Sequence, residues 1–232
     1  MTTSKNSGKL ALFALVALIG GTAGFGYFSQ TAHLSEDKKE VPDAKASKEQ
    51  LAVLAPKPND IIVGDTNALV TMVEYSSLSC PHCAHFHEKV LPDLTKNFIT
   101  PGKVKYVIRH FPLNEPAIKG SVVVECAGQN GLKRENFIKV LFEMQSQWAN
   151  GDSYIKDLRQ IASVGGIDSA VFDGCMNDKD IETRILTMRK EAEETLHVSS
   201  TPTLFIEGKK YEGEPSVQGF SAALKAALPS AK

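Results

Sequence analysis

An apolar run with strand character, Leu69-Val-Thr-Met-Val-Glu-Tyr75, leads into Cys80-Pro-His-Cys83, and the residues beyond switch to helical spacing. Phe86, Val90, Leu91 and Leu94 share one side of a helix reaching about Phe98, with a bend expected at Pro92. Pro81 suits the first turn of that helix, where a missing N–H costs nothing. Gly102 closes it, and Val104-Lys-Tyr-Val-Ile108 reads as the next strand. A strand, a helix and a strand in this order call for two parallel strands with the helix packed across them. The pattern is that of an α/β protein with a cysteine where a helix begins.

That position carries chemistry. A helix start offers unpaired N–H groups and the positive end of the helix dipole, and both favour a thiolate. A thiolate attacks disulfides, and a second cysteine one turn later can complete the exchange. Cys80 is therefore the expected nucleophile and the more exposed sulfur, and Cys83 the resolving thiol, the two forming a redox-active disulfide. His82 can donate a hydrogen bond or a charge toward the Cys80 sulfur. Cys80, Cys83, His85 and His87 are also zinc-compatible residue types. However, His85 and His87 are two residues apart on a helix and point about 200° away from each other. No metal is expected. Covalent haem needs a histidine directly after Cys83, where Ala84 stands, so no cofactor is expected either. With 26 Lys and Arg against 27 Asp and Glu, the chain lacks the basic field that nucleic-acid binding requires.

The remaining segments set the order of parts. Residues 1–28 contain Lys5 and Lys9, then an uncharged run from Leu10 to Phe28. At about 19 residues the run is near membrane-spanning length and longer than a usual signal core. It reads as an anchor, with a cleaved signal peptide as the alternative; both place the rest of the chain outside the cytoplasm. Residues 29–58 are polar and charge-mixed, with Pro42, Pro56 and Pro58, and read as a flexible tether. Lys48 to Leu54 can form one short helix within it, with Leu51 and Leu54 on one face as a docking flap. Residues 59–114 hold a short strand at Asp60-Ile-Ile-Val63 and the strand–motif–strand unit. Residues 115–196 show only helical spacing: Phe137, Val140, Leu141, Met144 and Trp148, then Ile155, Leu158, Ile161 and Ala162, then Ile181, Ile185, Met188, Ala192 and Leu196. Asp168 caps a shorter helix through Cys175. Residues 197–230 return to strands, Thr203-Leu-Phe-Ile206 and Lys210-Tyr-Glu212 around a turn at Glu207-Gly208-Lys209, and end in a helix over 216–228.

Glu74-Tyr-Ser-Ser-Leu-Ser-Cys-Pro-His-Cys83, the helical block and Ser200-Thr-Pro-Thr-Leu-Phe205 together resemble the DsbA family of bacterial envelope thiol oxidases. The resemblance covers about residues 60–230 and implies a thioredoxin fold with an inserted all-helical subdomain over 115–196. It implies that Pro202 is a cis-proline facing the motif, presenting backbone to an extended client peptide. Thr201 precedes it where the best-known family oxidases carry valine, a departure that bears on redox strength. Glu74 matches an acid of the family. Buried near the sulfurs, it is expected to have a raised pKa and to relay a proton to or from Cys83. A second family acid falls at His87, which removes that relay candidate. Cys126 and Cys175 lie on predicted helices of the insert. Some DsbA-like proteins have a second, structural disulfide there; the alternative is two buried thiols.

The expected activity is donation of the Cys80–Cys83 disulfide to unfolded or reduced exported proteins. A DsbB-like membrane partner would reoxidise the pair. The expected location is the periplasm, tethered to the inner membrane by residues 10–28 or free after cleavage. A disulfide isomerase or reductase of the same compartment is the alternative. A non-enzymatic binding module using the Pro202 groove is a third reading.

Overall fold

The computed structural model describes residues 46–229. The apolar segment 1–28 and the tether up to residue 45 lie outside the described residues, and within these no helix is long and apolar enough to cross a membrane.

Among the described residues the sheet has five strands: β1 Ile61–Val63, β2 Val70–Ser76, β3 Val104–His110, β4 Thr203–Ile206 and β5 Lys209–Lys210. Their spatial order is β1-β3-β2-β4-β5. β2 and β3 pair in parallel, from Val70 opposite Val104 to Ser76 opposite His110, as the strand–helix–strand order requires. All other pairings are antiparallel. The β4–β5 turn uses Glu207 (φ 49) and Gly208 (φ 77), the two positive φ values that a tight hairpin of matching twist needs. β5 is shorter than expected and ends before Tyr211, whose ring instead stacks on Phe220 at 4.2 Å.

Period-two alternation divides β2 between two cores. Val70 and Met72 pack with Tyr106 and Ile108 under the motif helix and the insert. Val73 and Tyr75 pack on the opposite face with Val107, Phe111, Leu196 and Phe205. Glu74 continues the first series, so a carboxylate points into the core beneath the motif.

The motif helix runs over residues 81–99 but is not regular. A first turn, Pro81–His85, gives way to wider i→i+5 turns at Phe86–Val90 and Thr95–Ile99, on either side of Leu91–Leu94. Pro92 supplies no N–H, and the chain widens in the turn before it, with Leu91 N–H reaching Phe86 O. The bend read from Pro92 is thus spread over several residues. It leaves Phe86, Val90, Leu94 and Phe98 all buried, with Phe86 edge-on to Phe220 at 5.3 Å.

The block from 115 to 196 is helical throughout, with its longer members at Glu115–Cys126, Gly131–Glu143, Tyr154–Val164, Ser169–Asn177 and Lys179–Leu196. Phe137, Leu141 and Trp148 lie in one buried cluster, although the helix is interrupted at Met144 and resumes as Gln145–Trp148. Asp168 caps its helix by accepting from Val171 N–H. Cys126 and Cys175 are joined by a disulfide, with their Cα atoms 6.0 Å apart and a sequence separation of 49.

Residues 47–58, read from the sequence as part of a flexible tether, are folded. Lys48–Leu54 is a helix with a capping box from Ser47 and Gln50, and its Leu54 is buried, whereas Leu51 is 46% exposed. Arg109, buried at the end of β3, holds this segment. Its guanidinium forks onto Asp60 at 2.8 and 2.9 Å and donates to Val53 O at 2.6 Å and Ala55 O at 2.9 Å. Breaking such a buried pair costs about 3–5 kcal/mol, so residues 47–58 belong to the folded body.

Candidate active site

Cys80 is the N-cap of the motif helix, with φ −85° and ψ 121°, and Pro81 takes the next position. This geometry turns the cysteine side chain back over the helix start. Its Sγ donates to Thr201 O at 3.4 Å, across the Thr201–Pro202 peptide, which is cis. Pro202 therefore does lie against the motif.

The two sulfurs have opposite surroundings. The Cys83 thiol hydrogen-bonds to Cys80, and this is the largest influence on Cys80. Burial opposes it, while the Thr201 hydroxyl and the N–H groups of Cys83 and His82 add to it, and the Cys80 thiol is lowered to about 5. The Thr201 hydroxyl is buried and completes no hydrogen bond, so it acts on the sulfur as a nearby dipole. Burial is the largest influence on Cys83, followed by the hydrogen bond it gives to Cys80 and by the negative charge of Glu74, and its thiol is pushed far up. Cys80 is the more accessible sulfur, yet it is only 7% exposed, against 0% for Cys83. Cys80 is thus the more exposed of the two, as expected, although Thr201 and the helix start cover most of it. His82 is exposed, and its contribution to the sulfur is its backbone N–H.

Glu74 lies beneath Cys83, fully buried. Its Oε2 receives the Tyr106 hydroxyl and lies 2.9 Å from His87 Nε2. Burial pushes the carboxyl up, but the charge and hydrogen bond of His87, with the neighbouring hydroxyls of Tyr106 and Ser76, outweigh it and the net direction is down. This overturns the expected raised pKa, and the reason is His87. The position read as a lost acid holds a partner that keeps Glu74 ionised. His87 is mostly buried, with its ring 4.4 Å from that of Phe142, and it lines an open groove of about 840 Å³ beside the motif helix. His85, two residues earlier, is exposed, so the two imidazoles diverge as helical spacing requires.

Tyr106 is the site residue that sequence reading missed. Its phenol is held protonated by burial and by the adjacent Glu74 charge. A signal was present: alternation places Val104, Tyr106 and Ile108 on one face of β3, and the parallel register sets Tyr106 opposite Met72, two residues from Glu74.

An acidic thiolate able to attack or leave, a second thiol kept protonated, and a peptide backbone beside the first sulfur together constitute machinery for thiol–disulfide exchange. The thioredoxin family model matches residues 56–226. A protein-disulfide oxidoreductase of Rickettsia prowazekii is 28% identical over 196 residues, covering 84% of this chain and 70% of the relative. Its counterpart in Rickettsia felis is 31% identical over 176 residues, covering 75% of this chain and 62% of the relative. The crystal structure of alpha-DsbA1 from Wolbachia pipientis superposes with a TM-score of 0.72 at 29% identity, covering 78% of this chain and 96% of that one. The chain belongs to the thioredoxin family, in its DsbA-like group of thiol:disulfide oxidoreductases.

Proposed function

We propose that this protein works in the oxidising direction, passing the Cys80–Cys83 disulfide to exported proteins during their folding. The observation that carries this reading is the asymmetry of the two sulfurs, one lowered to about 5 and the other raised. A stabilised thiolate favours the reduced motif, and a motif that favours reduction is a strong oxidant of others.

In the first step a client thiolate attacks Cys80 Sγ. The Cys80–Cys83 bond breaks, a client–Cys80 bond forms, and Cys83 leaves as a thiolate that takes up a proton. A second client thiolate then attacks the client sulfur of this mixed disulfide and expels Cys80 as a stable thiolate. The client loses two electrons and two protons; the motif gains both electrons and one proton, and the other proton goes to solvent. Thr201 O, 3.4 Å from the Cys80 sulfur, supports docking of an extended client backbone alongside Pro202. Pro81 presets the first helical turn.

Reoxidation requires Cys83 to lose its proton again. Glu74 serves as the acceptor: its Oε1 is buried without a partner, while His87 and Tyr106 occupy the other oxygen. A DsbB-like quinone-linked membrane protein takes the electrons, and residues 10–28 hold the domain on the outer side of the inner membrane. A reductase must give up its electrons readily, which a pair with a stabilised Cys80 thiolate does poorly.

Trapping tests the reading. With a reduced client, Cys83→Ala protein preloaded as a mixed disulfide on Cys80 should transfer oxidation, and Cys80→Ser should not. Equal activity of Cys80→Ser and the parent protein would refute it.

A further inference from the structure

Gln145 begins the insert helix Gln145–Trp148, yet its side chain reaches the motif 65 residues upstream in sequence. Its Nε2 donates to Leu78 O at 2.7 Å and to Cys80 O at 3.1 Å. Both partners are carbonyls, which fixes the orientation of the amide: turned over, its oxygen would face two oxygens.

The corner that presents Gln145 is rigid. Met144 departs from helical geometry at φ −100° and ψ 12°, which aims the next residue toward the motif. Trp148 is fully buried and donates from Nε1 to Leu141 O at 2.9 Å. Its ring closes on Gly120, where an added Cβ would stand 2.9 Å from the indole. Leu78 borders the same point, with its Cδ1 3.4 Å from that Cβ position. The insert therefore grips the two carbonyls flanking the peptide that leads into Cys80.

Cys80 O already accepts the first helical N–H, from Ala84 at 3.1 Å. With Gln145 added, both lone pairs of that oxygen are occupied. Carbonyl dipoles close to a thiolate oppose its charge, and donors placed on them offset that opposition. The same bonds hold the turn so that the His82 and Cys83 N–H groups stay aimed at the sulfur. Gln145 itself does not touch the sulfur.

We propose that Gln145 is a positioning residue through which the helical insert sets the acidity and oxidising strength of Cys80. The inference rests on the exchange chemistry proposed above and gives the insert a part in it: moving this corner changes the thiol.

The test compares Gln145→Met, which keeps the shape without donors, and Gln145→Glu, which replaces donors with acceptors. Gln147→Ala on the exposed side of the same short helix is the control. Two quantities are read on folded protein: the Cys80 titration by ultraviolet thiolate absorbance, and the equilibrium constant with glutathione. Gln145→Met should raise the thiol midpoint by about one unit and make the motif about tenfold harder to reduce, close to 30 mV for two electrons. Gln145→Glu should do more, and Gln147→Ala nothing. Parent-like values in both Gln145 variants overturn the inference, including when their melting temperatures fall, because that pattern marks a purely structural bond. A parent protein whose Cys80 titrates like an ordinary thiol overturns instead the exchange reading beneath it.

Discussion

The protein holds two cysteine pairs that share a chemistry and differ in almost everything around it. Cys126 and Cys175 join two helices of the insert over a separation of 49 residues, on a side-chain framework of Val122, Ile181 and Ile185. Both of these sulfurs belong to half-buried residues. Cys80 and Cys83 are three residues apart and carry free thiols. Here one sulfur collects donors and the other collects burial and a neighbouring carboxylate. The lesson is that redox function lies in this inequality. A staple needs two equivalent sulfurs at bonding distance, whereas a catalyst needs one that leaves easily and one that waits protonated.

The comparison breaks most sharply if its first member is removed. Cys80→Ser should abolish catalysed oxidation of a reduced client, a loss of three or more orders of magnitude against a motif that turns over by exchange. Replacing Cys126 and Cys175 together by Ala should leave that rate within about twofold. It should cost about 2–4 kcal/mol of stability by the loop-closure argument, read as a lower midpoint in urea. If the double variant loses activity while remaining folded, the two pairs are coupled and the contrast fails.

Acidity sharpens it further. Cys80 is held below its ordinary value, so the reduced protein gains stability at higher pH and loses it as pH falls through about 5. Cys83 acts in the opposite sense, since its raised value makes stability fall as pH rises above about 9. The oxidised protein has neither thiol and should lack both slopes, which denaturation of the two forms across pH will show. A smaller effect is expected from Glu74→Gln. Removing that charge should lower the Cys83 midpoint and speed its alkylation at alkaline pH, with Cys80 little changed. Smaller still, Thr201→Val removes one donor and should move the Cys80 midpoint upward.

Much of this was legible in the sequence because local rules governed it. The strand–motif–helix unit, the hairpin at Glu207-Gly208 and the helical character of 115–196 follow from periodicity and turn chemistry, and each element formed close to its expected place. What escaped depended on register between distant strands or on a single long side chain. Tyr106 joins Glu74 only through the parallel pairing of β3 with β2. Arg109 draws residues 47–58 onto the fold from the end of a strand that periodicity alone closed at Ile108. Gln145 reaches Cys80 O from a helix break that an uninterrupted heptad-like pattern concealed. His87 lies on its expected helix, but its contact with Glu74 is not legible there, and the direction expected for the Glu74 carboxyl is wrong for that reason. The position reads as a missing acid rather than as an imidazole 2.9 Å from one.

The central claim, that unequal sulfurs make Cys80–Cys83 an oxidising pair, is tested most directly by the reduction potential of the motif in a glutathione redox series. The account predicts a value toward the roughly −120 mV of strong DsbA-type oxidants, and a value near the roughly −270 mV of thioredoxin would contradict it.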